Sequence, residues 1–168
     1  MKIPSDTGAR IIVTGGTFDK RYDAIKGELT FKETHLPAIL EQSRVTLPLA
    51  LDIRLLIDSL QMTGEHRQEV LAACRESAER AIVVVHGTDT MVQTAEVVGR
   101  AGLDKTVVFT GAMIPYSVQG SDAPFNLGFA LAMALALPAG AYVAMNGRVF
   151  SWDNVTKDRA EGQFKALR

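Results

Sequence analysis

A chain of 168 residues falls within the size of one domain and is long enough to bury a core without disulfides or metals. With 47% hydrophobic residues, 22% charged residues and a formal net charge of -1, it carries no electrostatic footprint for nucleic acid or an anionic membrane. Cys74 is the only cysteine, which excludes an intrachain disulfide and suits a reducing compartment.

In chain order, the opening "MKIPSDTGAR" lacks the apolar core of a signal peptide. Apolar runs of strand length follow at "RIIVT" (10–14), "IRLLID" (53–58), "AIVVV" (81–85), "TVVFT" (106–110) and "AYVAM" (141–145). Such continuous runs suit strands covered on both faces, as in a parallel sheet. Between them, Thr63 is placed to cap a helix over about 64–80 with Val70, Leu71, Cys74 and Ala78 on one face. Thr88 or Asp89 is placed to start the next, with Met91, Val92, Ala95 and Val98 inward and Gly102 at its end. Ser121 or Asp122 opens a third, "SDAPFNLGFALAMALAL", apolar nearly all round and expected to be largely buried. "NG" at 146–147 predicts a hairpin turn. No repeat, linker or compositional break divides the chain, so residues 1–168 read as one α/β unit: an open, mostly parallel twisted sheet of the Rossmann or flavodoxin kind, with helices on both faces and right-handed crossovers.

In such sheets ligands bind beyond the carboxyl ends of the strands. Four exits carry small, hydroxylated or acidic residues: "TGGTFDK" (14–20), "DSLQM" (58–62), "HGTDTM" (86–91) and "TGAMIPYS" (110–117). Taken singly, each reads as ordinary turn chemistry, and Thr88 or Asp89 as a helix cap; four on one edge make that reading less comfortable. "TGGT" lacks the glycine spacing of a nucleotide loop, so no nucleotide cofactor is expected. His35, His66 and His86 are far apart, so no metal is expected. There is no G-x-S-x-G nucleophile elbow. What remains is threonine chemistry, which needs a base and oxyanion donors. Thr17 and Thr88 are the candidates, each preceded by a glycine, Gly16 or Gly87. Lys157 in "NVTKDRAEG" is a candidate base, or is held in place if paired to Asp89. Tyr22 reaches Thr17 if the polar stretch "FDKRYDAIKGELT" folds over it as a lid.

The set "TGGTF" (14–18), "DSLQM", "HGTDTM", "TGAMIP...GSDAPFNL" (110–127) and "DNVTK" (153–157) resembles the bacterial-type L-asparaginases, amidohydrolases that convert asparagine to aspartate and ammonia. The resemblance covers almost the whole chain but only the family's N-terminal domain, which implies a short-chain member without the usual C-terminal domain, or a truncated one. It implies that Thr17 is the nucleophile, assisted by Tyr22, and that a β-aspartyl ester on Thr17 is then cleaved by water. It implies that Thr88, Asp89 and Lys157 form a second triad, that Ser59 holds the substrate α-carboxylate and that Asp89 binds the α-ammonium. Gly16 and Gly87 let backbone come close to the substrate. Leu60 departs from the polar residue the family often has after the serine. A cytoplasmic homo-oligomer, dimer or tetramer, is implied, with helix 121–137 near its interface. Glutaminase activity is the close variant. A non-catalytic asparagine- or aspartate-binding module, an orphaned domain needing a partner, and the asparaginase-like component of a tRNA-dependent amidotransferase are the alternatives.

Overall fold

A computed structural model describes residues 8–168. A six-stranded sheet runs in the order β4 (Leu49–Ile57), β1 (Ala9–Gly15), β5 (Ala81–Val85), β6 (Thr106–Thr110), β7 (Gly140–Met145), β8 (Arg148–Ser151). All neighbours are parallel except β7 and β8. All five residues of β5 and of β6 are buried, as their uninterrupted apolar or β-branched sequences require. The α/β class, the mostly parallel sheet and the helices on both faces agree with the sequence reading.

The two faces have separate cores. On one, Ile12, Ile82, Val84 and Phe109 meet α2 (Gly64–Glu76) through Val70, Leu71 and Cys74, and α3 (Met91–Arg100) through Met91, Ala95 and Val98. On the other, Ile11, Val13, Val83 and Val108 meet α1 (Leu36–Gln42) through Leu36 and Ile39, and α4 (Ala123–Ala136) through Leu127, Ala130 and Leu131. Moving from β4 to β5, from β5 to β6 and from β6 to β7, the chain keeps one direction across the sheet, yet α4 lies on the face opposite α2 and α3. The crossover through α4 therefore has the opposite hand to its neighbours. This corrects the expectation of right-handed crossovers throughout. The exception is made by the long exit after β6, residues 111–122, which carries the chain over the strand ends to the far face before α4 begins.

Smaller corrections have local causes. The helix expected to reach Arg80 ends at Glu76, because Ser77 leaves helical geometry (φ -55°, ψ 133°). The Lys105 ammonium then donates to the carbonyls of Cys74 and Arg75, both at 2.9 Å, and of Ser77. Thr63 caps α2 as expected, in a reciprocal arrangement with His66. Helix α4 is buried on one side only, and Phe125, stacked on Phe129, stays 61% exposed. Asn146 and Gly147 both adopt positive φ, 50° and 82°, in the turn that joins β7 to antiparallel β8.

Two short hairpins stand outside the main sheet: β2 (Arg21–Asp23) with β3 (Glu28–Thr30), and β9 (Thr156–Asp158) with β10 (Gln163–Lys165). The second is pinned to the core by Val155 and Phe164, exposed by only 2% and 4%. Phe164→Ala is expected to lower stability by about 3 kcal/mol and to open residues 156–166 to limited proteolysis well below the global unfolding transition; cleavage no faster than in the wild type contradicts the anchoring role.

Candidate active site

Taking only the strands of the main sheet in chain order, β4, β1 and β5 are the second, first and third, so the strand order reverses between β1 and β5. A crevice at such a reversal is where doubly wound sheets bind ligands. The registers Val13↔Val85 and Val85↔Thr110 end β1, β5 and β6 at one level. The buried Thr14 hydroxyl donates to Val85 O at 2.9 Å, and His86 N to Thr110 O at 2.8 Å, holding the exits side by side.

Here the backbones nearly touch. A Cβ on Gly16, whose φ is +82°, would lie 2.4 Å from the Gly87 Cα, and one on Gly87 would lie 2.6 Å from the Ser59 Cβ and Oγ. Gly16 N also donates to Ile57 O at 3.0 Å. Gly16, Ser59 and Gly87, from three separate motifs, therefore form one contiguous floor. Thr17 follows directly, half-buried, at the head of a 3-10 turn that ends at Asp19.

The second group is bonded outright. Lys157, on β9, donates to Thr88 Oγ1 at 2.8 Å and to Asp89 Oδ1 at 2.7 Å. Thr88 is 7% exposed and the Lys157 side chain 10%. The capping alternative for "TDT" fails: Thr90 occupies the N-cap of α3 without a side-chain cap, while Thr88 and Asp89 turn to Lys157. The Thr90 hydroxyl instead donates to Ser59 O at 2.8 Å. Because Lys157 approaches the Thr88 oxygen as a donor, the Thr88 proton is free to point elsewhere.

Tyr22 stands apart, on β2 of the first hairpin and 65% exposed, beside a hollow of about 440 Å³ that Phe31 and Lys26 also line. The hairpin's base is tied down. Buried Asp19 accepts from His35 N at 2.8 Å and from the Thr34 hydroxyl at 3.0 Å; burial nonetheless raises its carboxyl above the ordinary value. Lys20 Nζ meets Asp58 Oδ2 at 2.5 Å, which lowers the Asp58 carboxyl pKa despite partial desolvation.

Reading the sequence alone missed Lys20 and Asp58, although both stand inside quoted exits, and gave Thr90 no part in the site. It also missed Asp122, which accepts from Met113 N at 3.0 Å, Asn126 Nδ2 at 2.9 Å and Asn146 Nδ2 at 3.0 Å and so fixes the exit after β6. Among the described residues no group of three His, Cys, Asp or Glu side chains gathers as a metal-ligand set.

An asparaginase N-terminal domain model matches residues 9–167. The chain belongs to the asparaginase family. It is 29% identical over 162 residues to the glutaminase-asparaginase of Acinetobacter glutaminasificans, covering 88% of this chain and 48% of that one. It is 32% identical over 156 residues to a glutamyl-tRNA(Gln) amidotransferase component from Thermococcus kodakarensis, covering 86% of this chain and 34% of that one. The solved thermostable L-asparaginase of Thermococcus kodakarensis superposes with a TM-score of 0.86 at 25% identity, over 96% of this chain and 51% of that one. The asparaginase-family chain thus spans about half the length of such relatives, or less.

Under this floor lies His86, fully buried. Its Nδ1 meets Gly87 O at 2.8 Å, which makes Nδ1 the donor and leaves Nε2 to accept from the Thr94 hydroxyl at 2.8 Å. Burial lowers its pKa from 6.5 to about 4. As pH falls the unfolded chain takes up this proton first, so stability is lost between about pH 6.5 and about pH 4. That loss is on the order of 3 kcal/mol. Unfolding free energies of His86→Gln measured across that window should lack this slope; a slope equal to the wild type's would show that another group titrates.

Proposed function

We propose that this chain is an L-asparaginase: an amidohydrolase that releases ammonia from the side-chain amide of asparagine with Thr17 as nucleophile. The observation that carries the reading is the Lys157–Thr88–Asp89 group, bonded at 2.7 and 2.8 Å on the exit whose Gly87 packs against Gly16, the residue before Thr17. Family membership supports amide hydrolysis as the class of reaction.

In the proposed sequence the Thr17 oxygen adds to the amide carbon, and the tetrahedral oxyanion is met by backbone N–H groups of the glycine-lined floor. Collapse expels ammonia, the proton given up by the Thr17 hydroxyl ending on the departing nitrogen, and leaves a β-aspartyl ester on Thr17. Water directed by Thr88 cleaves the ester, returning the hydroxyl and releasing aspartate. Lys157 is ion-paired to Asp89 and so positions the Thr88 hydroxyl rather than serving as the base. Ser59 holds the substrate α-carboxylate and Asp89, through Oδ2, the oxygen other than the one that Lys157 meets, the α-ammonium. Tyr22 joins Thr17 once the β2–β3 hairpin folds inward over the substrate. The protein acts in the cytoplasm, where its buried Cys74 thiol stays reduced. It associates with further copies through the apolar outer side of α4, where Phe125 and Phe129 lie exposed and half-exposed.

Ammonia release from asparagine tests the reading directly. Thr17→Ala should fall by at least about a hundredfold, and Thr88→Val and Lys157→Met should also fall; undiminished turnover in Thr17→Ala would overturn the mechanism. Glutamine is expected to be a slower substrate, since one methylene distinguishes the two. The likeness to an amidotransferase component favours one second reading, ammonia release for another chain's use; turnover appearing only when a partner is added would support it. Tight asparagine binding without turnover would instead support a sensing module.

A further inference from the structure

The segment Asp58–Gln61 carries Ser59 between two loops that hold the proposed reacting threonines, and each loop contributes one side chain that grips it. From the loop after β5, the Thr90 hydroxyl donates to the Ser59 carbonyl at 2.8 Å, across 31 residues of sequence. A threonine at a helix N-cap ordinarily turns its hydroxyl back to its own helix, for about 1 kcal/mol; α3 forgoes that bond. From the loop after β1, Lys20 reaches Asp58 Oδ2 at 2.5 Å, while its own N–H donates to Thr17 O at 3.2 Å. The other Asp58 oxygen accepts from Leu60 N at 3.0 Å, so the pull of Lys20 passes directly into the turn. Between the two grips Ser59 is 2% exposed and pressed against Gly87.

We infer that Thr90 and Lys20 are positioning residues that set Ser59 against Thr17 and Thr88, and so govern how well the substrate α-carboxylate is held. The inference rests on the asparaginase reading. Neither residue has a part in bond making. Each acts through the 58–61 turn, one from each side, and loss of either lets the turn shift relative to the glycine floor while leaving the Lys157 group intact.

Steady-state kinetics on asparagine separate this from a general packing role. Thr90→Val, which keeps the volume and removes the donor, should raise KM roughly tenfold while kcat changes by less than about twofold; Thr90→Ser, which keeps the donor, should restore KM. The Lys20 side chain is partly buried, and Lys20→Met keeps its length and apolar stem, so the variant should fold normally and also raise KM, by roughly three- to tenfold. A wild-type KM in both Thr90→Val and Lys20→Met overturns the inference, as does a loss confined to kcat or an equal loss in Thr90→Ser. Wild-type KM values in those variants while Thr17→Ala remains inactive would sink the clamp alone. A wild-type chain that neither turns over nor binds asparagine would sink the asparaginase reading, and the clamp with it.

Discussion

At the reversal of strand order the chain brings three backbones so close that no side chain fits between them: a Cβ at Gly16 or Gly87 would stand 2.4 or 2.6 Å from its neighbour. Everything else in the site depends on that contact. It is possible because β1, β5 and β6 end at one level, and because the reversal leaves the β1 and β5 exits adjacent, with β1 connecting to β4 on one side and β5 to β6 on the other. Two glycines then bring Thr17, Ser59 and Thr88, drawn from across more than seventy positions of sequence, onto one floor. The buried bonds beneath, from Thr14 to Val85, from His86 to Gly87 and from Thr94 to His86, leave the floor little freedom to relax.

The polar side chains on these exits divide their partners. Thr88 and Asp89 face Lys157 and Thr90 faces Ser59, so hydroxyls and a carboxylate at a helix start hold one segment to another instead of capping it, while Asp58 caps its own 3-10 turn and faces Lys20 as well. Lys157 arrives last in the chain on a hairpin outside the main sheet, and its ammonium is placed by the burial of Val155 and Phe164 rather than by any strand ladder shared with β5. The opposite-handed crossover contributes as well: carrying the chain to the far face of the sheet requires the long exit after β6 to pass over the strand ends, where Asp122 and Asn126 fasten it.

Much of this was legible from residues alone. The strands at 81–85 and 106–110 declared themselves as β-branched runs, and the Asn146–Gly147 turn by its dipeptide. The hand of the last crossover was not legible, because a helix apolar on nearly every side, as α4 is, gives no clue to which face of a sheet it covers. The two small hairpins were also silent: β2, β3, β9 and β10 are three residues each and mostly polar, too short for any period to register. Among the site residues, those carrying chemistry stood out by motif. Thr90, Lys20 and Asp58 did not, because what distinguishes them is a partner 31 or 38 residues away.

The central claim is that residues from four separate segments converge on one amino-acid site, and a crystal structure of the protein with L-aspartate bound measures that convergence directly. The account predicts the α-carboxylate within hydrogen-bond distance of Ser59, the α-ammonium at Asp89, and the side-chain carboxylate between the hydroxyls of Thr17 and Thr88. Aspartate bound elsewhere, or bound here with either threonine out of reach of that carboxylate, would contradict it.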